Sequence, residues 1–266
     1  MTDTKLHFVT TGSSKNPAIL FLHGFLGAGS DWDKIADSFS NDFFCILPDL
    51  PGHGKSDIGY QLQNYSFQST AEQLISMLDE YQIRTAIFIG YSMGARLALY
   101  TYFHHSIRLK AMVLEGVNPG LRTSLEITER LKWENQICER LQDGMEPFLD
   151  YWTHLPLFHS LHEYPEKLNA LKLKRLQNRS DRLILSMKAA GLSQQTNFWP
   201  RLKQINVPLM LVAGEKDEKF LTITKEFVKE YPRAELTIIP KSGHNTHWEN
   251  PEGYSNKLNK FLNGIG

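Results

Sequence analysis

An α/β fold, with a mostly parallel central sheet and helices on both of its faces, is predicted by two observations on the 266-residue sequence. First, short apolar runs alternate with stretches whose apolar residues recur at helical spacing, which is typical of a parallel sheet covered on both sides. Second, this alternation stops in the middle of the chain, where a long helical pattern separates two groups of apolar runs. We therefore expect one sheet that is interrupted by a helical insertion.

The predicted strands are residues 18–22, 43–47, 86–89, 111–114, 208–213 and 235–239. The predicted core helices are residues 31–39, 67–81, 93–103 and 251–262. The chain then divides into a core, residues 1–118 and 194–266, and a helical cap, residues 119–193. We expect the cap to lie over the carboxyl ends of the strands, where open α/β sheets bind their ligands.

Composition excludes several classes of function. The chain has 41% apolar and 22% charged residues and a formal net charge of +0, so bulk charge favours neither nucleic acid nor a membrane surface as a partner. The start of the sequence lacks a signal-peptide pattern, and no apolar stretch approaches the ~20 residues of a membrane span. Cys45 and Cys138 look unpaired, so we expect a cytoplasmic protein. No motif predicts a metal or cofactor, and the oligomeric state stays open.

The segment Gly90-Tyr91-Ser92-Met93-Gly94 matches G-x-S-x-G. An apolar strand pattern precedes it and a helical pattern follows, which is the setting of the nucleophile elbow of the α/β-hydrolase fold. Glycines are needed there because larger side chains would collide with the neighbouring strand and helix. Ser92 would then stand at the positive end of a helix, exposed at the tip of a sharp turn. The alternative is a glycine turn with an incidental serine.

A serine hydroxyl needs a base, and the base needs an acid that orients it. In this fold the acid follows the serine in the chain and the histidine comes last. Asp217 and His244 each follow a predicted strand, and we predict them as this acid and base. Three neighbours remain as alternatives, namely His247 for the base and Glu215 or Glu218 for the acid.

An oxyanion hole needs two backbone N–H groups. The residue after the nucleophile, Met93, is expected to supply one. The loop after the first predicted strand, HGFLG, is expected to supply the other from Phe25. His23 in the same loop is interpreted as a buried histidine that braces the loop rather than as a catalytic group.

The chain resembles the 2-succinyl-6-hydroxy-2,4-cyclohexadiene-1-carboxylate synthases of menaquinone and phylloquinone biosynthesis over nearly its whole length. The resemblance rests on LHGFLGAGSDW, LPDLPGHGKSD, GYSMGARLALY, LEGVNPGL, ITERL, WTHLPLF, GLSQQTNFWPRL, GEKDEKF and SGHNTHWENP. The sequence departs from the family in two places: Ala95 replaces a glycine of many members, and Trp133 stands where an arginine is frequent.

The resemblance implies a lyase that acts on a small polyanionic molecule. The enzyme would remove a proton from 2-succinyl-5-enolpyruvyl-6-hydroxy-3-cyclohexene-1-carboxylate and expel pyruvate. The Ser–His–Asp set would act as the base, and the oxyanion hole would stabilise a dienolate oxygen, so that no acyl-enzyme forms.

The resemblance also implies four substrate-binding residues. Arg96 and Arg130 would bind substrate carboxylates, for which the guanidinium fork is suited. Trp152 and Tyr91 would line the pocket. The alternatives are surface ion pairs for the two arginines and packing within the cap for Trp152.

Two other functions on the same fold remain as alternatives. A carboxylesterase, thioesterase or carbon–carbon bond hydrolase would need the same triad, because this fold serves many chemistries. The two arginines favour the anionic lyase substrate over a neutral ester. A ligand receptor on a hydrolase fold is disfavoured, since the triad and the oxyanion loop are both intact.

Overall fold

The computed structural model describes residues 5–265, and seven strands in this range form one sheet in the order β1-β3-β2-β4-β5-β6-β7. The strands are β1 (Phe8–Thr11), β2 (Ala18–Leu22), β3 (Phe44–Pro48), β4 (Ala86–Tyr91), β5 (Leu109–Glu115), β6 (Leu209–Gly214) and β7 (Glu235–Ile239). β1 pairs antiparallel with β3, and the other pairings are parallel. The predicted mostly parallel sheet is confirmed.

Helices cover both faces of the sheet. The core helices are α1 (Asp33–Phe39), α2 (Phe67–Glu80), α3 (Met93–His105), α8 (Glu218–Glu230), α9 (Thr246–Glu249) and α10 (Pro251–Gly264). Alternate residues of β2 enter different apolar cores: Leu20 and Leu22 pack with α2 and α3, whereas Ile19 and Phe21 pack with α1 and α10. A central strand buried on both faces reads as a continuous apolar run, which is why the sequence reveals it.

The sequence did not indicate β1. This strand has only four residues, FVTT, and none of them is fully buried. It lies at the edge of the sheet, so one of its sides has no partner strand. A short edge strand needs no long apolar run, and its sequence pattern is correspondingly weak.

Residues between β5 and β6 form a helical insertion, in which the described chain has no strand. Its helices are α4 (Ser124–Gln142), α5 (Met145–Thr153), α6 (Pro165–Arg175) and α7 (Ser180–Ala190). Polar contacts join the insertion to the core: Arg175 forms a buried ion pair with Asp31 at 2.7 Å, and Asn178 Nδ2 donates to the Leu26 carbonyl at 2.7 Å. No helix within residues 5–265 has the length and apolar character needed to cross a membrane.

Candidate active site

Ser92 lies between the end of β4 and the start of α3. Its backbone has a conformation that residues other than glycine rarely adopt. Its φ is 50° and its ψ is −105°, in the region that favours glycine. Two backbone hydrogen bonds hold it there: Ser92 N donates to Glu115 O at 2.8 Å, and Arg96 N donates to Ser92 O at 3.0 Å. Strain that the surroundings enforce in this way is found at functional sites.

The two glycines of the motif allow this turn to pack tightly. A Cβ atom on Gly94 would lie 2.2 Å from the carbonyl oxygen of Leu22, and one on Gly90 would lie 2.4 Å from the carbonyl oxygen of Gly94. Both contacts are with backbone atoms, which cannot swing aside as a side chain can. Any larger residue at either position would therefore displace the turn that presents the serine.

The structure brings Ser92, His244 and Asp217 together in a hydrogen-bonded row. His244 Nδ1 lies 2.7 Å from Asp217 Oδ2, and His244 Nε2 lies 3.1 Å from Ser92 Oγ. Asp217 also accepts a hydrogen bond from Phe220 N at 3.1 Å. With Nδ1 donating to the carboxylate, Nε2 is left to accept the serine proton, which is the arrangement that activates a hydroxyl.

The alternative base, His247, lies in different surroundings. Its Nδ1 is 2.8 Å from a carboxylate oxygen of Glu115, and its ring stacks on Trp32 with 3.9 Å between centroids. It is buried, and the hydrogen bond to the serine is made by His244 instead. Of the alternative acids, Glu215 accepts from Lys241 N at 2.8 Å, and Glu218 is the exposed first residue of α8.

The two predicted oxyanion donors, Phe25 and Met93, both line the cavity that contains the serine. Met93 is the first residue of α3, so its N–H has no partner within the helix. Neither N–H donates a hydrogen bond to another residue in the described range. His23 braces the loop of Phe25: its Nε2 accepts from Leu50 N at 2.9 Å, and its Nδ1 is 2.8 Å from the Gly24 carbonyl oxygen.

The two predicted arginines both line the cavity, but their partners differ. Arg130 Nε donates to a Glu134 carboxylate oxygen at 2.7 Å, and its guanidinium lies 4.3 Å from the centre of the Trp133 ring. Arg96 makes hydrogen bonds to neutral oxygens only. Burial and the nearby Arg130 lower the pKa of Arg96, although a guanidinium keeps its proton at neutral pH.

Aromatic side chains form much of the remaining wall, among them the predicted Tyr91 and Trp152. Trp152 packs against Phe25 of the core at 5.5 Å and against Phe158 of the insertion at 5.6 Å between ring centroids. Tyr91 lies 5.2 Å from the His244 ring. Trp152 therefore both lines the cavity and packs within the insertion.

Lys219 is a cavity residue for which the sequence predicted no role. Burial and Arg130 lower the pKa of its ammonium group, and no carboxylate within residues 5–265 forms an ion pair with it. A lysine in the first turn of α8 opposes the helix dipole, which favours acids there. This unfavourable position is the sequence feature that could have indicated a role for Lys219. Other lining residues that the sequence did not indicate are Asn118, Phe158 and Phe220.

The cavity has a volume of about 110 Å³. Its wall holds a few polar groups among apolar and aromatic side chains, which is typical of small-molecule sites. Among the described side chains, no group of three or more His, Cys, Asp or Glu residues is placed to hold a metal ion.

Comparisons with known proteins bear on the fold and on the family. The alpha/beta hydrolase fold family matches residues 17–251. A relative from Bacillus subtilis (strain 168) is 34% identical over 96% of this chain and 93% of its own length. The 2-succinyl-6-hydroxy-2,4-cyclohexadiene-1-carboxylate synthase of Yersinia pestis (strain Pestoides F) is 32% identical over 92% of this chain and 87% of its own.

Solved structures agree with these matches. The structure of MenH from S. aureus superimposes with a TM-score of 0.92 at 31% identity, over 100% of this chain and 99% of that one. A thermophilic esterase from Thermogutta terrifontis reaches a TM-score of 0.85 at 19% identity, over 98% and 93% of the two chains. The second likeness shows a shared fold and no more.

The sheet, the serine turn and the matched residues define a protein of the α/β-hydrolase fold family, to which this chain belongs. Within that fold the chain belongs to the family of 2-succinyl-6-hydroxy-2,4-cyclohexadiene-1-carboxylate synthases, and it is an enzyme of the lyase class. The resemblance predicted from the sequence is confirmed.

Proposed function

We propose that the chain eliminates pyruvate from 2-succinyl-5-enolpyruvyl-6-hydroxy-3-cyclohexene-1-carboxylate in menaquinone or phylloquinone biosynthesis. The product would be 2-succinyl-6-hydroxy-2,4-cyclohexadiene-1-carboxylate, for which the relatives are named. One observation carries the proposal: a serine–histidine pair lines the same cavity as Arg96 and Lys219, two cations that form no ion pair with a carboxylate of residues 5–265. Base chemistry on a polyanion needs both features.

The chemistry begins with removal of the ring proton next to the succinyl ketone. His244 would draw the proton from the Ser92 hydroxyl, whose oxygen takes the substrate proton. The electron pair moves to the ketone oxygen, where the N–H groups of Phe25 and Met93 would stabilise the dienolate. Collapse of the dienolate breaks the carbon–oxygen bond at the far side of the ring. Enolpyruvate leaves and takes up a proton to become pyruvate.

Charge complementarity supports the anionic substrate. A buried cation without a partner is costly, so it is retained where a ligand supplies the opposite charge. Arg96 is half-buried and meets this condition, whereas Lys219 is exposed and lines the cavity without a carboxylate partner among residues 5–265. Arg130 also faces the cavity, with part of its charge balanced by Glu134. We propose that these three residues bind the substrate carboxylates and that Tyr91 and Trp152 hold the ring.

Residues 119–193 are proposed to act as a cap that encloses the substrate against the core, residues 1–118 and 194–266. The lining of the cavity supports this division, because α4 and α5 contribute Arg130 and Trp152 to the wall opposite Ser92. A wall built by an insertion would exclude water from the dienolate.

A cytoplasmic location is also part of the proposal. Cys45 and Cys138 are both buried free thiols, which is compatible with a reducing compartment.

Ester hydrolysis is the second candidate, because a distance of 3.1 Å between Ser92 Oγ and His244 Nε2 would also suit a nucleophile. The two candidates are separated by supplying the enolpyruvyl precursor and a p-nitrophenyl ester in parallel. We expect pyruvate release with the rise of diene absorbance, and slow ester turnover. Rapid ester hydrolysis without pyruvate release would overturn the lyase proposal.

A further inference from the structure

The guanidinium of Arg96 is held in place without being neutralised. Its Nη2 donates to the Ala190 carbonyl oxygen at 2.9 Å, and its Nη1 donates to Gln195 Oε1 at 3.2 Å. The guanidinium carbon lies 5.1 Å from the centre of the Phe67 ring. Among residues 5–265, no Asp or Glu side chain forms an ion pair with it. Arg96 is half-buried, and arginines withdrawn from water are ordinarily paired with a carboxylate, so its neutral partners need an explanation.

Gln195 makes two hydrogen bonds of opposite sense. Its Oε1 accepts from Arg96, and its Nε2 donates to the Asn118 carbonyl oxygen at 2.9 Å. Asn118 follows β5 and lines the cavity, whereas Arg96 belongs to α3. The amide can both accept and donate here, whereas a carboxylate has no proton for the Asn118 carbonyl oxygen and an alkyl group has neither function.

Arg130, the other arginine of the cavity, differs from Arg96 because its partner is a carboxylate. Arg130 is paired with the buried carboxylate of Glu134, which also accepts from Leu192 N at 2.6 Å. The segment 190–195 therefore touches both systems: it supplies neutral acceptors to Arg96 and backbone donors to the carboxylate that pairs with Arg130. A glutamate at 195 would differ from glutamine by one non-hydrogen atom; it would lose the hydrogen bond to the Asn118 carbonyl oxygen and gain an ion pair with Arg96.

We propose that Gln195 is a positioning residue that orients Arg96 while leaving its charge available to a substrate carboxylate. A glutamate in its place would satisfy Arg96 internally and would repel the incoming anion. The inference rests on the proposed function only in taking the ligand to be a carboxylate. Gln195 would thus influence the binding of anions through Arg96, although it does not itself line the cavity.

The test compares Gln195→Glu with Gln195→Ala and uses Gln194→Glu as the control. Gln194 is exposed, and its side-chain amide donates to Ser193 Oγ, so its variant adds the same charge one residue away from the contact. We expect Gln195→Glu to raise the KM for the precursor by about 10- to 100-fold with little change in kcat. Gln195→Ala should raise it by less than about fivefold, and Gln194→Glu should behave as the wild type.

A merely structural role predicts the opposite order. Alanine removes both hydrogen bonds, whereas glutamate loses only the one to the Asn118 carbonyl oxygen and turns the contact with Arg96 into an ion pair, so alanine would then be the more harmful change. Thermal unfolding of the same variants provides the second readout: we expect Gln195→Glu to be at least as stable as Gln195→Ala although it binds substrate more weakly. A KM for Gln195→Glu at or below that of Gln195→Ala overturns the proposal.

A binding experiment separates this proposal from the lyase assignment. Trp133 and Trp152 line the cavity, so their fluorescence reports the binding of succinate, a simple dicarboxylate. If the wild type releases no pyruvate, the lyase assignment fails, and succinate then decides the role of Gln195. We expect weaker succinate binding in Gln195→Glu than in Gln194→Glu. Equal affinities, or no binding to the wild type, overturn the role proposed for Gln195.

Discussion

The core side and the inserted side of the cavity are built from different kinds of side chain. On the core side, Ser92, His244 and Asp217 are held by hydrogen bonds to one another and to the backbone. On the inserted side, Trp152 lies within a row of aromatic rings, 6.1 Å from Trp133 and 5.6 Å from Phe158 between centroids. The first side fixes the positions of reactive atoms, and the second provides shape, apolar surface and the charge of Arg130.

This difference separates the question of which chemistry the site performs from the question of which substrate it accepts. A core arrangement of this kind recurs across many chemistries, so it cannot by itself identify the substrate. Under the proposed function, the choice of substrate depends on the inserted side together with Arg96 and Lys219. Substitutions on the core side should lower kcat, whereas substitutions among the charged lining residues should act mainly on KM.

The largest effect is expected for Ser92→Ala. Without the hydroxyl, His244 has no oxygen through which to take the substrate proton, and kcat for pyruvate release should fall by more than about 1,000-fold. Ser106→Ala, at the other end of α3, is the control, since that residue is exposed. A coupled assay of pyruvate measures both. A loss of less than about tenfold would mean that His244 acts on the substrate directly.

The core side could be anticipated from the sequence because its signals are local. Ser92 is recognised by the two glycines that lie two residues before and two residues after it. Asp217 and His244 each follow an apolar run that forms a strand. Parallel strands end at the same edge of a sheet, so residues after their ends converge. The distances among these three side chains depend on packing that no local pattern contains.

Arg96→Met should have the next largest effect. Loss of the charge that faces the cavity should cost about 2–4 kcal/mol of transition-state stabilisation, measured as a fall in kcat/KM that comes mostly from a higher KM. Arg84→Met is the matched control, because Arg84 is exposed and lies outside the cavity. Steady-state kinetics on the precursor measure the effect. An unchanged kcat/KM would remove Arg96 from the site.

Lys219→Met should lower kcat/KM by about tenfold but raise the stability of the free enzyme at neutral pH. Burial lowers the pKa of Lys219 in the folded state, so between that value and the ordinary lysine pKa the unfolded chain binds more protons. Stability from this group therefore rises with pH across that window, and the charged form is unfavourable below it. The methionine variant removes this pH-dependent contribution.

Thermal unfolding across pH 6–10 checks this sign for Lys219→Met, with Lys225→Met, exposed on the same helix, as control. We expect the excess stability of Lys219→Met over the wild type to shrink as the pH rises. An excess that grows with pH, or a variant less stable than the wild type at pH 7, would mean that Lys219 has a favourable partner in the free enzyme.

The inserted side was harder to anticipate. Helical spacing indicates which face of α4 is apolar, but not what that face packs against. The sequence therefore predicted cavity roles for Arg130 and Trp152 only through resemblance. The pairing of Arg130 with Glu134, four residues along α4, was visible as a spacing in the sequence. Its meaning depends on the burial of Glu134, which results from tertiary packing.

Arg130→Met should have the smallest effect, a rise in KM of about threefold, because a charge that is already paired gains less from a ligand. Glu134 is left unpaired by this change, so thermal unfolding must accompany the kinetics. The double variant Arg96→Met/Arg130→Met then refines the comparison between the two sides. Additive losses in kcat/KM would indicate that the arginines bind different carboxylates, and losses well below additive would indicate a shared one. A loss for Arg130→Met as large as that for Arg96→Met would instead make the inserted side the main anion site.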